Sequence, residues 1–192
     1  MTASAYALFD TAIGACAVAW GERGILAAQL PEMSRRAARR RMRRRFPGAG
    51  EQTPPPAVAR AIEAIVGLLD GEARELGDIM LDFEGVGAFE RRVYEIARAI
   101  GPGQTLTYGE IAARAGEPNG ARAVGQAMGR NPFPIIVPCH RVLGADGKLG
   151  GFSAHGGAAT KARLLSIERA RVGEAPGLFD DLPIAVAPAR RD

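Results

Sequence analysis

Residues 107–130 read TYGEIAARAGEPNGARAVGQAMGR, and two short helices with a tight turn between them can be read from the spelling. Thr107-Tyr108-Gly109-Glu110 has the T-x-x-E form of a capping box, in which hydroxyl and carboxylate satisfy orphan backbone amides reciprocally. A helix is therefore predicted from Tyr108 to Ala115, stopping at Gly116. Asn119 is the expected cap of a second helix running from Gly120 to about Arg130. Two such helices joined through Gly116-Glu117-Pro118-Asn119 have the outline of a helix-turn-helix, whose second member would be presented to DNA. At i, i+4 spacing that second helix carries three stripes: Val124 and Met128 apolar, Ala121, Gly125 and Gly129 small, Arg122, Gln126 and Arg130 polar. A glycine inside a helix costs up to about 1 kcal/mol relative to alanine. Gly125 and Gly129 thus call for a close neighbour, either a nucleic-acid backbone or another helix of the same protein.

Directly downstream, residues 131–141 read NPFPIIVPCHR. Pro132, Pro134 and Pro138 fix their own φ and restrict the residue before them, so Ile135-Ile136-Val137 is predicted to be extended and to deliver the Cys139 thiol in a fixed direction. A free cysteine, with a pKa of about 8.5, is only slightly ionised at neutral pH, and the adjacent His140 and Arg141 are neighbours of the kind that raise its thiolate fraction. Glu168 lies on a strongly helical segment, Thr160 to Arg169, four residues after Leu164 and so near the same inward face. It could orient His140, which would take the thiol proton, in the logic of a catalytic triad. It could equally sit at the surface or pair with an arginine. His155, in a Gly-rich loop, reads as a surface residue.

Upstream, Phe89, Val93, Ile96, Ala97 and Ile100 recur at helical spacing, and Gly101-Pro102-Gly103 ends that helix. The first 30 residues instead alternate apolar stretches with turns: Tyr6–Phe9, Ala15–Trp20, the turn Gly21-Glu22-Arg23-Gly24, then Ile25–Leu30, a β-hairpin or meander. Ser34 can cap a helix that stops at Pro47-Gly48, Pro54-Pro55-Pro56 opens a second from Ala57 to about Leu69, and Ile79–Phe83 is a candidate last strand. The fold class that follows is an N-terminal α/β domain, an antiparallel sheet with helices, over residues 1–85. A mostly α domain with the helix-turn-helix follows over 86–170, then a loosely ordered Ala/Pro/Arg-rich tail over 171–192, whose Leu178–Pro183 segment is expected to fold back.

The chain has 192 residues, 47% of them apolar, enough for two modest cores. It has no apolar run of the roughly 18 residues a membrane span needs, and Met1–Gly14 lacks the basic and apolar regions of a signal peptide, so a cytoplasmic location without membrane association is expected. Two cysteines and two histidines are too few for a disulfide framework or an ordinary Cys/His zinc cluster, so neither metal nor cofactor is called for. The net charge of +4 conceals an asymmetry: eight arginines fall between Arg35 and Arg45. Such a run is either a polyanion footprint or a solvated helix face.

Pro138-Cys139-His140-Arg141-Val142, preceded by Asn131-Pro132 and followed by Gly151-Phe152-Ser153, resembles the O6-alkylguanine-DNA alkyltransferases, or methylated-DNA–protein-cysteine methyltransferases. The resemblance runs in order from Phe89 to Glu168 and takes in Thr107–Ala112 and Ala121–Gly125, whereas the first 85 residues match only in their α/β outline. It implies a single-turnover repair protein that flips an O6-alkylguanine out of duplex DNA and moves the alkyl group onto Cys139. In that pattern Cys139, His140, Glu168, Tyr108 and Asn131 are the catalytic set: Tyr108 donates to the leaving purine, and Asn131 ties the DNA-reading helix to the reactive segment. Ala121, Arg122, Gly125, Gln126, Arg130 and Arg141 would face DNA, with Arg122 filling the vacated stack from the minor groove. Met128, Pro134, Val142 and Ser153 would form the base pocket. The partner is double-stranded DNA containing O6-alkylguanine, with the protein a monomer in solution and clustering on DNA left open. A non-catalytic lesion-recognition module is the alternative, but relatives of that kind lack the reactive cysteine. A cysteine hydrolase would need an oxyanion hole, for which no signature is evident. The chain departs from the pattern in Phe152, where many such proteins carry tyrosine, and in a longer loop from Ser153 to Gly157.

Overall fold

The computed structural model describes residues 3–170, apart from the side chain of Asp146; the expectations for 171–192 lie outside the described residues. Three antiparallel strands, β1 (Ala5–Thr11), β2 (Gly14–Gly21) and β3 (Gly24–Gln29), form the expected meander, and a two-residue β4 (Gly50–Glu51) joins parallel to β1, giving the order β3-β2-β1-β4. β2 and β3 are near-continuous apolar runs because both faces of the sheet are covered. Tyr6, Leu8, Ala17, Ala19 and Leu26 pack on α1 (Arg35–Arg45) through Ala38, Met42 and Phe46. Ala5, Ala7, Cys16, Val18, Trp20 and Ile25 turn the other way. They pack with Val58, Ile65 and Leu68 of α2 (Pro56–Leu69) in an apolar core continuous with that of the later helices.

Both N-terminal helices start where the sequence indicates. Ser34 caps α1 by accepting the Ala37 amide at 3.2 Å, and the proline at the head of α2 occupies a position whose N–H would be unpaired in any case. The candidate strand Ile79–Phe83 is a correction: only Leu81 bridges, beside Ile25, with Ile25 N–H donating to Met80 O and Asp82 N–H to Ile25 O, both at 2.9 Å. Pairing ends there because Asp82 turns the chain, accepting the Glu84 amide at 2.9 Å and pairing with Arg23. Gly24, at φ +129°, permits the approach, since a Cβ there would lie 2.6 Å from Met80 O.

The second half is helical: α3 (Ala88–Arg98), α4 (Tyr108–Arg114), α5 (Ala121–Gly129) and α6 (Gly157–Ile167). α3, α4 and α5 pack together, and Tyr94 of α3 donates to Ala127 O at 2.9 Å. A short parallel pair, β5 (Leu106–Thr107) with β6 (Val142–Leu143), joins the residue before Tyr108 to the segment just after Cys139. Among the described residues no helix is long and apolar enough to cross a membrane.

Candidate active site

The capping box at the head of α4 forms as read: Glu110 N–H donates to Thr107 Oγ1 at 3.1 Å, and Thr107 N–H to Glu110 Oε2 at 2.6 Å. It anchors the first turn that carries Tyr108. Asn119 is a correction, because Gly120 is the N-cap of α5 and no side chain caps it. Gly120 N–H is drawn back to Glu117 O at 2.7 Å, closing the turn one residue later than the sequence suggested.

The segment before the cysteine is not extended, a second correction. Phe133–Val137 is a tight turn closed by Val137 N–H to Phe133 O at 2.8 Å, with Ile135 at φ 77°. Asn131 holds it together, donating to Val137 O at 2.8 Å and accepting the Phe133 amide at 2.9 Å. A left-handed isoleucine is costly, and it persists because these bonds and full burial over-determine the turn. The chain then enters a 3-10 turn over Cys139–Arg141. Rigidity survives, but Asn131 supplies much of it alongside the prolines.

Glu168 turns out to have both partners that the spacing left open. His140 Nε2 lies 2.9 Å from Glu168 Oε1, while Arg141 grips the same carboxylate with Nε at 2.8 Å and Nη2 at 2.7 Å, and donates through Nη1 to Ile100 O at 2.5 Å. Arg141 is therefore only 5% exposed and does not face DNA, a third correction: a fork–fork pair with a buried carboxylate uses its donors inside the fold. Glu168 itself is the C-cap of α6, which starts at Gly157, three residues before the expected Thr160.

Burial alone would raise the Glu168 pKa, but hydrogen bonds and charge from His140 and Arg141 outweigh it and hold it at about 2. Burial lowers His140 more than Glu168 raises it, so the imidazole is neutral near pH 7. An ionised Glu168 can only accept, so Nε2 carries the proton and Nδ1 keeps a lone pair. Nδ1 is buried with no hydrogen-bond partner among the described residues.

The Cys139 thiol, 8% exposed, is pushed up by burial, against which the Asn131 side chain, the Lys161 charge and the amides of Cys139 and His140 pull down. The cation acting on the sulfur is thus Lys161 and not Arg141. Lys161 was missed in the sequence, where a lysine in the stretch TKAR on an amphipathic helix reads as solvated. It is wholly buried, donates from Nζ to Val142 O at 2.5 Å and stands 5.7 Å from the centre of the Tyr108 ring. Burial, then the nearby Cys139, raises the Tyr108 pKa, so the phenol keeps its proton.

A cavity beside Cys139 is lined by Met128, Asn131, Pro134, Phe152 and Ser153. Val142, expected in this pocket, is not among the residues that line it: it is fully buried, with its carbonyl committed to Lys161. The opposite wall was also missed: it comes from the N-terminal half, with Ala28, Gln29 and Leu30 from the end of β3 and Arg41 and Arg45 from α1. Ala28 N–H donates to Pro132 O at 2.9 Å, a link between distant segments that no local pattern announces. On α5, Val124 and Met128 are buried as read, Arg122, Gln126 and Arg130 are exposed, and Ala121 and Gly125 are half-exposed. Among the described residues, a Cβ added at Gly125 would only touch the Tyr108 ring at 4.0 Å, and one at Gly129 would meet nothing within 4 Å.

Residues 88–170 match the family model described as 6-O-methylguanine DNA methyltransferase, DNA binding domain. A methylated-DNA–protein-cysteine methyltransferase of Methanothermobacter thermautotrophicus is 37% identical over 151 residues, covering 79% of this chain and 77% of the relative. One from Mycolicibacterium paratuberculosis is 47% identical over 126 residues, covering 66% and 74%. The crystal structure of Mycobacterium tuberculosis OGT in complex with DNA superposes with a TM-score of 0.70 at 36% identity, covering 85% of this chain and 92% of that one.

Proposed function

Since this chain belongs to the methylated-DNA–protein-cysteine methyltransferase family, we propose that it repairs O6-alkylguanine in duplex DNA by moving the alkyl group onto Cys139. The observation that carries the assignment to this residue is the buried relay beside it: Glu168, ionised, holds the Nε2 proton of His140 and leaves Nδ1 as the base. His140 Nδ1, which no described side chain satisfies, takes the thiol proton through one bridging water as the sulfur attacks the alkyl carbon. The S–C bond forms as the C–O6 bond breaks, and the guanine departs as its anion. Tyr108, held protonated, gives that anion a proton and recovers one from the His140 imidazolium. Lys161 stabilises the thiolate as it develops and holds the Val142 carbonyl.

Extrusion of the base costs a few kcal/mol, least for a weakly paired lesion, and the exposed Arg122 fills its place in the stack. α4 and α5 act as a helix-turn-helix, with α5 in the minor groove. Gly125 and Gly129 support this reading, because each costs helix stability and the folded chain has room for a Cβ at both. Met128, Asn131, Pro134 and Ser153 border the space for the flipped purine. The family match beginning at residue 88 supports a boundary near residue 85 between the α/β unit and the alkyl-accepting one. We place the reaction in the cytoplasm.

A thioether has no route back to thiol without a second nucleophile, so the reaction is stoichiometric. With a tenfold excess of O6-methylguanine duplex, about one equivalent should be repaired per protein and none by Cys139→Ala. Continued turnover by the wild-type chain would refute the assignment.

A further inference from the structure

We propose that α1 is a second phosphate-gripping face, in which Arg36, Arg40, Arg43 and Arg44 hold the DNA backbone beside the nucleotide under repair. This rests on the alkyltransferase reading above. The arginine tract, uniform in sequence, divides in the fold. Arg35 is bound to Asp10 at 2.7 Å and to Leu8 O, Arg39 takes both oxygens of Glu51 at 2.6 and 3.2 Å, and Arg41 pairs with Glu32 at 2.6 Å. Arg45 lies over the Phe46 ring at 5.3 Å. The other four are exposed and have no ion pair or side-chain hydrogen bond among the described residues.

Their spacing of i, i+4, i+7 and i+8 places them on a single stripe at 3.6 residues per turn, opposite the buried Ala38 and Met42. Folding does not explain this stripe. Like charges at i, i+4, as in 36/40 and 40/44, each cost a helix about 0.2–0.5 kcal/mol. Arg35 and Arg36 oppose the helix dipole in a first turn that holds no acid. A face kept only for solubility mixes signs, and α1 contains no acidic residue.

Its position supplies the partner. Arg41 and Arg45, between the stripe and the buried face, line the cavity of Cys139 that Met128 of α5 also lines. The two helices therefore border the same opening. A duplex seated on α5 with a nucleotide in that opening presents its flanking phosphates to the α1 stripe.

The test is the salt dependence of binding of the full chain to an O6-methylguanine duplex, with methyl transfer to Cys139 read in the same samples. Each phosphate contact contributes about 0.9 to the slope of log K against log salt. R36Q/R40Q/R43Q/R44Q should lower that slope by up to about 3.6, which for an unchanged affinity at about 1 M salt lowers affinity at about 0.1 M by up to roughly three and a half orders of magnitude. R36K/R40K/R43K/R44K should restore the slope, and R35Q/R39Q, which breaks only internal pairs, should leave it unchanged while lowering the melting temperature. A wild-type slope in the quadruple glutamine variant would overturn the proposal, as would an equal loss in R35Q/R39Q. If the wild-type chain binds but transfers no methyl group, the alkyltransferase reading fails; if it transfers and the slope does not move, only the role of α1 fails.

Discussion

Arg141 and Arg40 carry the same guanidinium and end in opposite situations. Arg141 is buried, with its donors divided between one carboxylate and one carbonyl, and it fixes the geometry behind the reactive sulfur. Arg40 is exposed on a stripe of like residues with no acid to meet it among the described residues. Sequence position pointed the other way, since Arg141 stands two residues from the nucleophile and Arg40 about a hundred. Chemistry at the site depends on a polar cluster closed on itself, and recognition depends on groups the fold leaves open.

The comparison breaks hardest at Glu168. Glu168→Ala strands a guanidinium and an imidazole in the interior and should cost about 3–5 kcal/mol in a denaturant titration. The same carboxylate sets the acid limit. Its pKa of about 2 lies below the unfolded value of about 4.3, so its contribution to stability is complete above that value and is lost as pH falls towards 2. Glu168→Gln should flatten stability against pH across that window, and an acid limb identical to wild type would show the carboxylate to be unpaired.

Lys161→Met should slow methyl transfer on the order of 100-fold, as loss of one charge-stabilising donor does elsewhere, while lesion binding stays within about twofold. A single-turnover rate beside a binding isotherm separates the two; an unchanged rate would remove Lys161 from the chemistry. Asn131→Ala should destabilise by about 1–3 kcal/mol, because it leaves the Phe133 amide without a partner and takes from the Val137 carbonyl one of its two donors, the other being the Cys139 amide at 2.8 Å. The smallest effect sharpens the contrast most. Gly125→Ala should stabilise the fold by up to about 1 kcal/mol and weaken binding to duplex DNA, since the cost of that glycine is repaid only outside the protein. A variant that gained stability and bound as well as wild type would mean that α5 does not touch DNA.

What the sequence made legible was local. The capping box at Thr107 and Glu110, the Ser34 cap, the meander and the apolar stripe of Val124 and Met128 depend on neighbours within a few positions, and they stand as read. The pairing of His140 with Glu168 was legible as one of several options. Where the reading failed, a distant or side-chain partner decided. The side chain of Asn131 converts a proline-stiffened run into a turn, and Glu168 draws Arg141 inward from 27 positions away. Lys161 is buried because the carbonyl of Val142 and the ring of Tyr108 await it, neither of which a helical pattern contains. The cavity wall from β3 and α1 exists only once residues 28 and 132 have met.

The most direct measurement is the mass of the Cys139 peptide after incubation with a duplex containing a single O6-methylguanine. A gain of one methyl group on that peptide, with guanine restored in the duplex, is the expected result. An unmodified Cys139 peptide beside an intact lesion, or the methyl group on Cys16, would contradict it.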